Sequence, residues 1–286
     1  MAVCEVCFRH CNIREGGIGF CGVRTARGDS VEPLRYGGIS SLALDPIEKK
    51  PLMRFFPGSK ILSVGFYGCN LRCPFCQNYE ISWSEEARSD VKTARTVTPE
   101  ELADFSESLI PRGNIGAAFT YNEPLTSYEF VRDSAKLLHE RNMKTVLVTN
   151  GTAEQPVLLE ILPYIDAMNI DLKGFTDRYY EKVLGGNRQQ VMEFIETAVR
   201  HCHVELTTLI VPGENDTEEE MEALSSWVSD LTDSEGKRIG AEIPLHISRF
   251  FPRFRMTDRP ATNVREIYRL ADLARRKLKN VYTGNC

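Results

Sequence analysis

Between Ile61 and Asn78 the chain reads ILSVGFYGCNLRCPFCQN, an apolar run of strand length followed by a loop with three cysteines. Cys69, Cys73 and Cys76 have the spacing C-x3-C-x2-C. Three thiolates in one loop can ligate three irons of a four-iron cubane, which leaves the fourth iron with an open position. A closed zinc site needs a fourth cysteine or histidine nearby, and none follows within the next sixty residues. The spacing therefore favours an open iron–sulfur cluster over a structural metal.

From Lys60 to the C-terminus, apolar runs of strand length alternate with stretches in which apolar residues recur at a helical period. This alternation predicts βαβ units around a parallel sheet, and in such folds the loops after the strand ends hold the chemistry. Two helix starts are marked, at Thr98 and Thr217, where a capping residue precedes a glutamate by three positions. The predicted strands are Ile61–Tyr67, Ile115–Tyr121, Thr145–Thr149, Ala167–Leu172, Val204–Val211, Ile239–Ile247 and Val281–Thr283.

The first 59 residues are different, with glycine pairs, several prolines, four cysteines and no helical period. Their cysteines, all within eighteen residues, are Cys4, Cys7, Cys11 and Cys21. So short a segment cannot bury a hydrophobic core of its own and needs a further stabilising element, such as a bound metal. Four thiolates suit either tetrahedral zinc or a second, fully ligated iron–sulfur cluster, and the sequence leaves both open. We expect a cysteine-rich metal module and wrapping segment at 1–59, followed by a second domain at 60–286.

Composition narrows the classes of partner. The net charge of −5 over 286 residues gives no global positive field that would attract nucleic acid. No run of 18 apolar residues is present, so we expect no membrane span. The N-terminal residues lack the apolar core of a signal peptide, so we expect a cytoplasmic protein. In a reducing compartment, clustered cysteines among a total of nine are more often metal ligands than disulfide partners.

Two further groups of metal-ligand residue types lie outside these motifs. His201-Cys202-His203 has the composition of a ligand trio, but it lies where a helix gives way to a strand. Neighbouring side chains point in different directions there, so we predict a structural role. Cys286 is the final residue, and the sequence alone leaves open whether it is a frayed end or a ligand.

The cluster loop resembles that of the radical S-adenosylmethionine (SAM) superfamily, whose defining motif is C-x3-C-x-aromatic-C. The resemblance implies a [4Fe–4S] cluster on the catalytic residues Cys69, Cys73 and Cys76, and it places Phe75 beside the adenine of SAM. It implies the α/β class, as a partial (β/α)6 barrel with a small cysteine-rich N-terminal module. It also implies reductive cleavage of SAM to a 5′-deoxyadenosyl radical, and an electron donor of the flavodoxin or ferredoxin type.

Later motifs follow in the order that the family has them. They are TYNEP at 120–124, TNG at 149–151, DLK at 171–173 and IPLH at 243–246. They are similar to the family's G-G-E-P and to the T-N-G, D-L-K and L-P-F-H of glycyl-radical activases. The resemblance implies that Glu123 faces the SAM amine, Lys173 the SAM carboxylate and His246 the ribose. The full set of implied SAM-binding residues is Phe75, Glu123, Thr149, Asn150, Asp171, Lys173 and His246.

A narrower resemblance is carried by DPIEKKPL at 45–52, FPGSK at 56–60 and the cluster loop ending in CQN at 76–78. These are similar to AmmeMemoRadiSam-type radical SAM enzymes, a group often labelled as homologues of pyruvate formate-lyase activating enzyme. Two substrate classes stay open. A protein glycine in a glycyl radical enzyme fits the TNG, DLK and PLH matches, although the D-G-x-G-x-R stretch of the activases is missing. The alternative is a small molecule or peptide, modified together with AmmeMemo-type partner proteins.

A third class of protein, the plain iron–sulfur electron carrier, would also explain a cysteine loop. Such a carrier usually ligates its cluster with four cysteines and needs no ordered set of SAM-contact motifs. The open cluster position and the later motifs together therefore predict an enzyme.

Overall fold

The computed structural model describes residues 1–286, which form fourteen strands and eight α-helices. The strands, numbered in chain order, are β1 (Ala2–Val3), β2 (Asn12–Ile13), β3 (Arg24–Arg27), β4 (Ser30–Pro33), β5 (Gly38–Ile39), β6 (Ser41–Pro46), β7 (Lys60–Gly65), β8 (Arg95–Thr96), β9 (Asn114–Thr120), β10 (Lys144–Thr149), β11 (Ala167–Asp171), β12 (His203–Ile210), β13 (Leu245–Arg249) and β14 (Val281–Gly284). The helices are α1 (Tyr79–Ser82), α2 (Glu85–Asp90), α3 (Pro99–Ser108), α4 (Tyr128–Glu140), α5 (Gln155–Ile161), α6 (Arg188–Ala198), α7 (Glu218–Ser229) and α8 (Val264–Ala274).

Eight of the strands form one sheet in the order β14-β13-β12-β11-β10-β9-β7-β6. The strands from β7 to β14 in this sheet run parallel to one another, whereas β6 pairs antiparallel with β7. The two edge strands, β6 and β14, do not pair with each other, so the sheet is open. The expected α/β class with a partial barrel is confirmed.

The two faces of the sheet bury different side chains because residues alternate along a strand. Leu62 and Val64 of β7 belong to the main core, which includes Phe130 of α4. Ile61, the residue before Leu62, faces the opposite way and joins a second, smaller core. That core combines strand residues with the segment between β6 and β7, and its members are Ile47, Leu52, Phe55, Ile61, Ala118, Val146 and Ala167. The segment after β6 therefore packs against the early part of the strands, on the face away from the helices.

The N-terminal region forms small antiparallel pieces beside the sheet. Strand β1 pairs with β2, β3 with β4, and β5 with β8. Strand β6 was expected to lie in the wrapping segment, but the structure places it in the main sheet along the whole length of β7. The residues before β7 thus contribute both a cysteine-rich module and an edge strand.

One predicted strand is wrong in its first half. Ile239–Ile247 was expected as a single strand, but a 3₁₀ turn covers Gly240–Glu242 and the strand itself is Leu245–Arg249. Pro244 has no N–H to donate to a ladder, so the sheet pairing begins after it. The backbone N–H groups of Ile239 and Gly240 instead donate to the carbonyl of Leu231.

Both marked helix starts are confirmed. The Thr98 hydroxyl accepts from the Glu101 N–H and the Glu101 carboxylate accepts from the Thr98 N–H, which completes a capping box on α3. Thr217 caps α7 by accepting from the Glu220 N–H. The Glu220 carboxylate turns elsewhere and accepts from the Phe175 N–H at 2.5 Å.

Candidate iron–sulfur and SAM site

The three-cysteine loop leaves β7 through a turn that only glycine fits. Gly68 has φ 86°, and a Cβ there would lie 2.6 Å from a methyl group of Val23 and 2.8 Å from the Cys21 carbonyl. The turn thus presses the loop against the N-terminal module. It also places the three free thiols of the loop beside the carboxyl ends of the parallel strands.

The loop thiols have the chemistry of cluster ligands. Burial raises the pKa of all three, that of Cys73 to about 12, and the nearby Glu123 raises that of Cys69 further. Thiolate is the form that binds iron, so cluster binding would release their protons. The Cys69 sulfur accepts from the Leu71 N–H at 3.4 Å, an N–H to sulfur bond of the kind that tunes iron–sulfur clusters. Three soft donors on one short loop fit a [4Fe–4S] cluster.

Glu123 follows β9 and is 2% exposed. Its carboxylate accepts from the Thr149 hydroxyl at 2.8 Å, the Asn150 N–H at 2.8 Å and the Leu125 N–H at 3.1 Å. Burial raises the pKa of Glu123 to about 7, although these three hydrogen bonds act to lower it. A buried carboxyl group close to its titration point at neutral pH is typical of a functional site.

Asn150 connects this carboxylate to the cluster loop. Its side-chain N–H₂ donates to the side-chain Oδ1 of Asn70 at 2.9 Å and to the Cys69 sulfur at 3.8 Å. The Asn70 amide in turn donates to the Thr152 hydroxyl at 2.7 Å. Residues at the ends of β7, β9 and β10 thus form one hydrogen-bonded network, as the order of the motifs predicts.

Lys173 and Asp171 lie at the end of the next strand, β11. The Lys173 ammonium donates to the Asp171 carboxylate at 2.8 Å, and its side chain is 18% exposed. Burial acts to lower the pKa of Lys173, but Asp171 and the Cys73 thiolate outweigh it, so the pKa is raised. A lysine that stays charged beside the cluster loop can offer a cation to an anionic group of a ligand.

Phe75 and His246 occupy different surroundings. Phe75 is buried and meets Phe250 edge-on at 6.1 Å between ring centres, just after β13. His246 is the second residue of β13, and its Nε2 lies 2.7 Å from the Glu205 carboxylate. In the sheet His246 pairs with Thr207, which pairs with Asp171 of β11, so His246 lies level with Asp171 while its side chain contacts Glu205.

Glu205 is a buried residue that the sequence motifs did not identify. It is 0% exposed and accepts from the backbone N–H groups of Met53 and Arg54, as well as from His203 and His246. Burial acts to raise the pKa of Glu205, but these hydrogen bonds outweigh it and lower the pKa to about 2. The carboxylate is thus ionised and anchors the segment after β6 to β12. In the sequence, Glu205 could have been identified as a candidate functional residue because it is a charged residue within the otherwise apolar and neutral pattern of β12.

A second unexpected group lies at the other edge of the sheet. The Asp45 carboxylate accepts from Lys50 at 3.0 Å, Ser63 at 2.8 Å and the Tyr121 hydroxyl at 2.8 Å. Lys50 is 1% exposed and lies 4.5 Å from the centre of the Tyr121 ring. Tyr121 itself has φ 77°, a left-handed conformation that is costly for a non-glycine residue. The sequence motif DPIEKKPL contains Asp45 and Lys50, but it does not indicate their partners Ser63 and Tyr121, which only the tertiary structure shows.

The four N-terminal cysteines lie within one small module. The Cys4 N–H donates to the Cys11 carbonyl at 3.0 Å, and the Phe20 N–H donates to the Cys11 sulfur at 3.4 Å. The backbone of Cys7 pairs antiparallel with that of Ala153, which lies just beyond the network at the end of β10. No group of three or more His, Cys, Asp or Glu side chains in the structure converges as a single-ion site. The metal of this module, zinc or a second cluster, stays a prediction.

The side chains of His201, Cys202 and His203 have different partners and do not converge. His201 Nδ1 lies 2.9 Å from the Thr197 carbonyl, the Cys202 thiol donates to the Ala198 carbonyl at 3.7 Å, and His203 pairs with Glu205. The backbone junction between α6 and β12 separates the three side chains. Cys286 is exposed at the C-terminus.

The chain matches the family model of the radical SAM superfamily over residues 63–227. A Methanocaldococcus jannaschii protein described as uncharacterized, MJ0808, is 39% identical over 284 residues, which span 99% of this chain and 80% of that protein. The chain therefore belongs to the radical SAM superfamily and is a radical SAM enzyme, with the [4Fe–4S] cluster and SAM that the family implies. More distantly, it is 25% identical to the pyruvate formate-lyase 1-activating enzyme of Escherichia coli, over 61% of this chain and 70% of that enzyme.

Solved structures agree on the fold. Streptococcus suis SuiB bound to S-adenosylmethionine superposes with a TM-score of 0.58 at 14% identity, over 77% of this chain and 49% of SuiB. Escherichia coli QueE has a TM-score of 0.50 at 14% identity, over 86% of this chain and 92% of QueE. The chain thus spans about half of SuiB and most of QueE. At this identity the likeness shows the parallel sheet of the radical SAM type.

None of the helices in the structure has the length and apolar composition that crossing a membrane requires.

Proposed function

We propose that this enzyme activates a glycyl radical enzyme by removing hydrogen from a glycine of that partner. When bound at Cys69, Cys73 and Cys76, the [4Fe–4S] cluster would supply an electron that splits SAM into methionine and a 5′-deoxyadenosyl radical. The observation that carries the proposal is the network joining Cys69, Asn150 and Glu123, because it sets a buried carboxylate beside the cysteine loop that would hold the cluster.

The residues around that position divide the recognition of SAM among them. Glu123, oriented by Thr149 and Asn150, would accept from the SAM amine, and Lys173, oriented by Asp171, would donate to the SAM carboxylate. Phe75 would lie beside the adenine. All of these groups are buried or half-buried, where each charged contact is strengthened by the low dielectric.

His246 would contact the ribose through one defined nitrogen. Since a carboxylate can only accept, the His246 Nε2 must carry a hydrogen that it donates to Glu205. The Nδ1 is then left as the nitrogen available to a ribose hydroxyl. Glu205 would thus fix both the tautomer and the ring orientation of His246.

The glycyl-radical substrate class is supported by the distant similarity to pyruvate formate-lyase activating enzymes and by the TNG, DLK and PLH motifs. The electron would come from a donor of the flavodoxin or ferredoxin type, for which a strong chemical reductant substitutes in the laboratory.

The substrate class can be tested with fractions of an extract of the cells that make the protein. Reconstituted enzyme, SAM and dithionite are mixed anaerobically with either the macromolecular or the low-mass fraction. We expect the macromolecular fraction to raise 5′-deoxyadenosine formation and to yield a glycyl radical signal by electron paramagnetic resonance (EPR), with the triple Cys69, Cys73 and Cys76 to alanine variant as control. Stimulation by the low-mass fraction alone, without a protein radical, contradicts the proposal.

That contrary outcome would favour a second candidate, modification of a small molecule or peptide with AmmeMemo-type partner proteins. A specific observation favours it: Asp45, Ser63, Lys50 and Tyr121 form a buried or half-buried hydrogen-bonded group on the sheet face away from the helices. Tyr121 is held there in a strained conformation, and strain of this kind concentrates at functional sites. Asp45 and Lys50 belong to the stretch that carries the narrower resemblance.

Replacing Cys4, Cys7, Cys11 and Cys21 with serine should remove a metal distinct from the SAM cluster. Serine is close in size, but a hydroxyl is a far weaker ligand for zinc or iron than a thiolate. Metal analysis of wild type and variant gives the answer: a loss of about one zinc per chain indicates zinc, and a loss of about four irons indicates a second cubane. Equal zinc and iron contents in the two proteins would show that the module has no metal role.

A further inference from the structure

The N-terminal module contacts the cluster loop on both sides of Cys69. Before it, the Cys21 carbonyl lies against Gly68. After it, the Arg9 guanidinium donates to the Asn70 carbonyl at 2.8 Å and to the Gly185 carbonyl. The loop that carries the first cluster ligand is therefore enclosed by the module rather than open to solvent.

Two guanidinium groups are stacked at this contact. Arg9 of the module and Arg72 of the cluster loop lie over the Phe20 ring, at 3.5 and 3.8 Å from its centre. Arg72 also donates to the carbonyls of Cys69 at 2.8 Å, Leu71 at 2.7 Å and Phe20. We call Arg9, Phe20 and Arg72 the arginine stack.

The side-chain hydrogen bonds of both arginines go to backbone carbonyls, and neither forms an ion pair with a carboxylate. Two like charges on one ring repel each other unless nearby anions compensate them. Once the cysteines bind a metal or a cluster, their thiolates would be the anions available here. Arg9 stands two residues from both Cys7 and Cys11, and its guanidinium donates to the carbonyl of Asn70, the residue after Cys69, so its charge lies beside both cysteine sets.

We propose that Arg9 acts as a cationic cap on the SAM cluster, raising the reduction potential of the cluster and slowing the loss of its iron. Reduction adds one electron, taken from an external donor, and hence one negative charge to the cluster. A fixed cation in partly buried surroundings favours that reduced state, and protein charges near a cluster are established determinants of its potential. Arg9 is a positioning residue, since its contact with the cluster loop is to a backbone carbonyl. The inference rests on the cluster of the proposed function.

The test is an EPR-monitored redox titration of reconstituted protein, without SAM or substrate, at matched iron content. We expect Arg9→Gln to shift the midpoint potential of the cluster to more negative values and Arg9→Lys, which keeps the charge, to stay near wild type. Arg141→Gln is the matched control, because it removes the same charge at the end of α4, where Arg141 pairs with Asp104 and Glu107. That variant should leave the potential unchanged.

A second measurement separates charge from packing. The rate of iron loss to a chelator should rise in Arg9→Gln and also in Arg9→Lys, because lysine cannot reproduce the flat stack on Phe20 or donate to two carbonyls from one planar fork. Arg9→Met, which keeps an apolar stem on the ring, replaces Arg9→Gln if that variant does not fold.

An unshifted potential in the neutral variant, or an equal shift in Arg9→Lys, overturns the electrostatic role. Unchanged iron loss in the Gln and Lys variants overturns the role in retention. These readouts do not depend on the substrate or on SAM cleavage. A protein that binds the cluster but activates no glycyl radical enzyme would still show them, so the failure of this inference and that of the proposed function are distinguishable.

Discussion

A variant with Cys69, Cys73 and Cys76 all replaced by alanine forms no 5′-deoxyadenosine from SAM, whereas the wild-type protein forms it even without substrate. The expected loss is complete because the three thiols are the cluster ligands that the family motif identifies, and alanine offers no donor atom to iron. The measurement is chromatography of the products after anaerobic reconstitution with iron and sulfide, followed by SAM and dithionite. Iron content should fall in parallel.

Cys202→Ala is the matched control, because Cys202 is a half-buried free thiol, as Cys69 and Cys76 are, and lies away from the loop, where it donates to the Ala198 carbonyl. That variant should cleave SAM as the wild type does. Near-native circular dichroism of the triple variant shows that the loss is not a failure to fold. If the triple variant still cleaves SAM, the assignment of the cluster to these cysteines is wrong.

Glu123→Ala and Lys173→Ala each weaken SAM binding by roughly thirty-fold or more, the second largest effect that we expect. Removing one partner of a desolvated charged contact typically costs about 2–5 kcal/mol. His246→Ala should cost less, because a neutral hydrogen bond to a ribose hydroxyl contributes only about 0.5–1.5 kcal/mol. SAM titration of each variant, with cluster content matched by iron analysis, measures these differences.

The contacts of Glu123 require a second variant. Alanine there also leaves the Leu125 and Asn150 N–H groups without their acceptor, and each buried unpaired group costs about 1–3 kcal/mol of stability. Glu123→Gln keeps one acceptor oxygen and removes the charge, so its loss of SAM affinity reports the charge more directly.

Glu193→Ala, a substitution on the exposed face of α6, controls for a change in net charge and should bind SAM normally. Native affinity in both Glu123→Ala and Lys173→Ala would show that these residues do not contact SAM.

Features set by local interactions were predictable from the sequence. The capping box at Thr98 involves only residues three positions apart, so the local sequence is enough to predict it. Six of the seven predicted strands lie within one or two residues of the observed ones, because alternation with amphipathic helices is a property of neighbouring residues. The three-cysteine loop is equally local, and a parallel sheet brings its strand ends to one edge, which is why Glu123 and Asn150 meet at Cys69.

Only the tertiary structure decided which distant residues are partners. Arg9 and Arg72 are 63 positions apart in the sequence, yet both stack on the Phe20 ring. Glu205 of β12 likewise forms a hydrogen bond with His246 of the neighbouring strand β13. A single arginine or glutamate has no neighbouring pattern that names its partner, since the pairing depends on how strands and loops far apart in the chain are brought together. The sequence by itself therefore determined the class of enzyme and the cluster loop, and long-range packing decided how the N-terminal module encloses that loop.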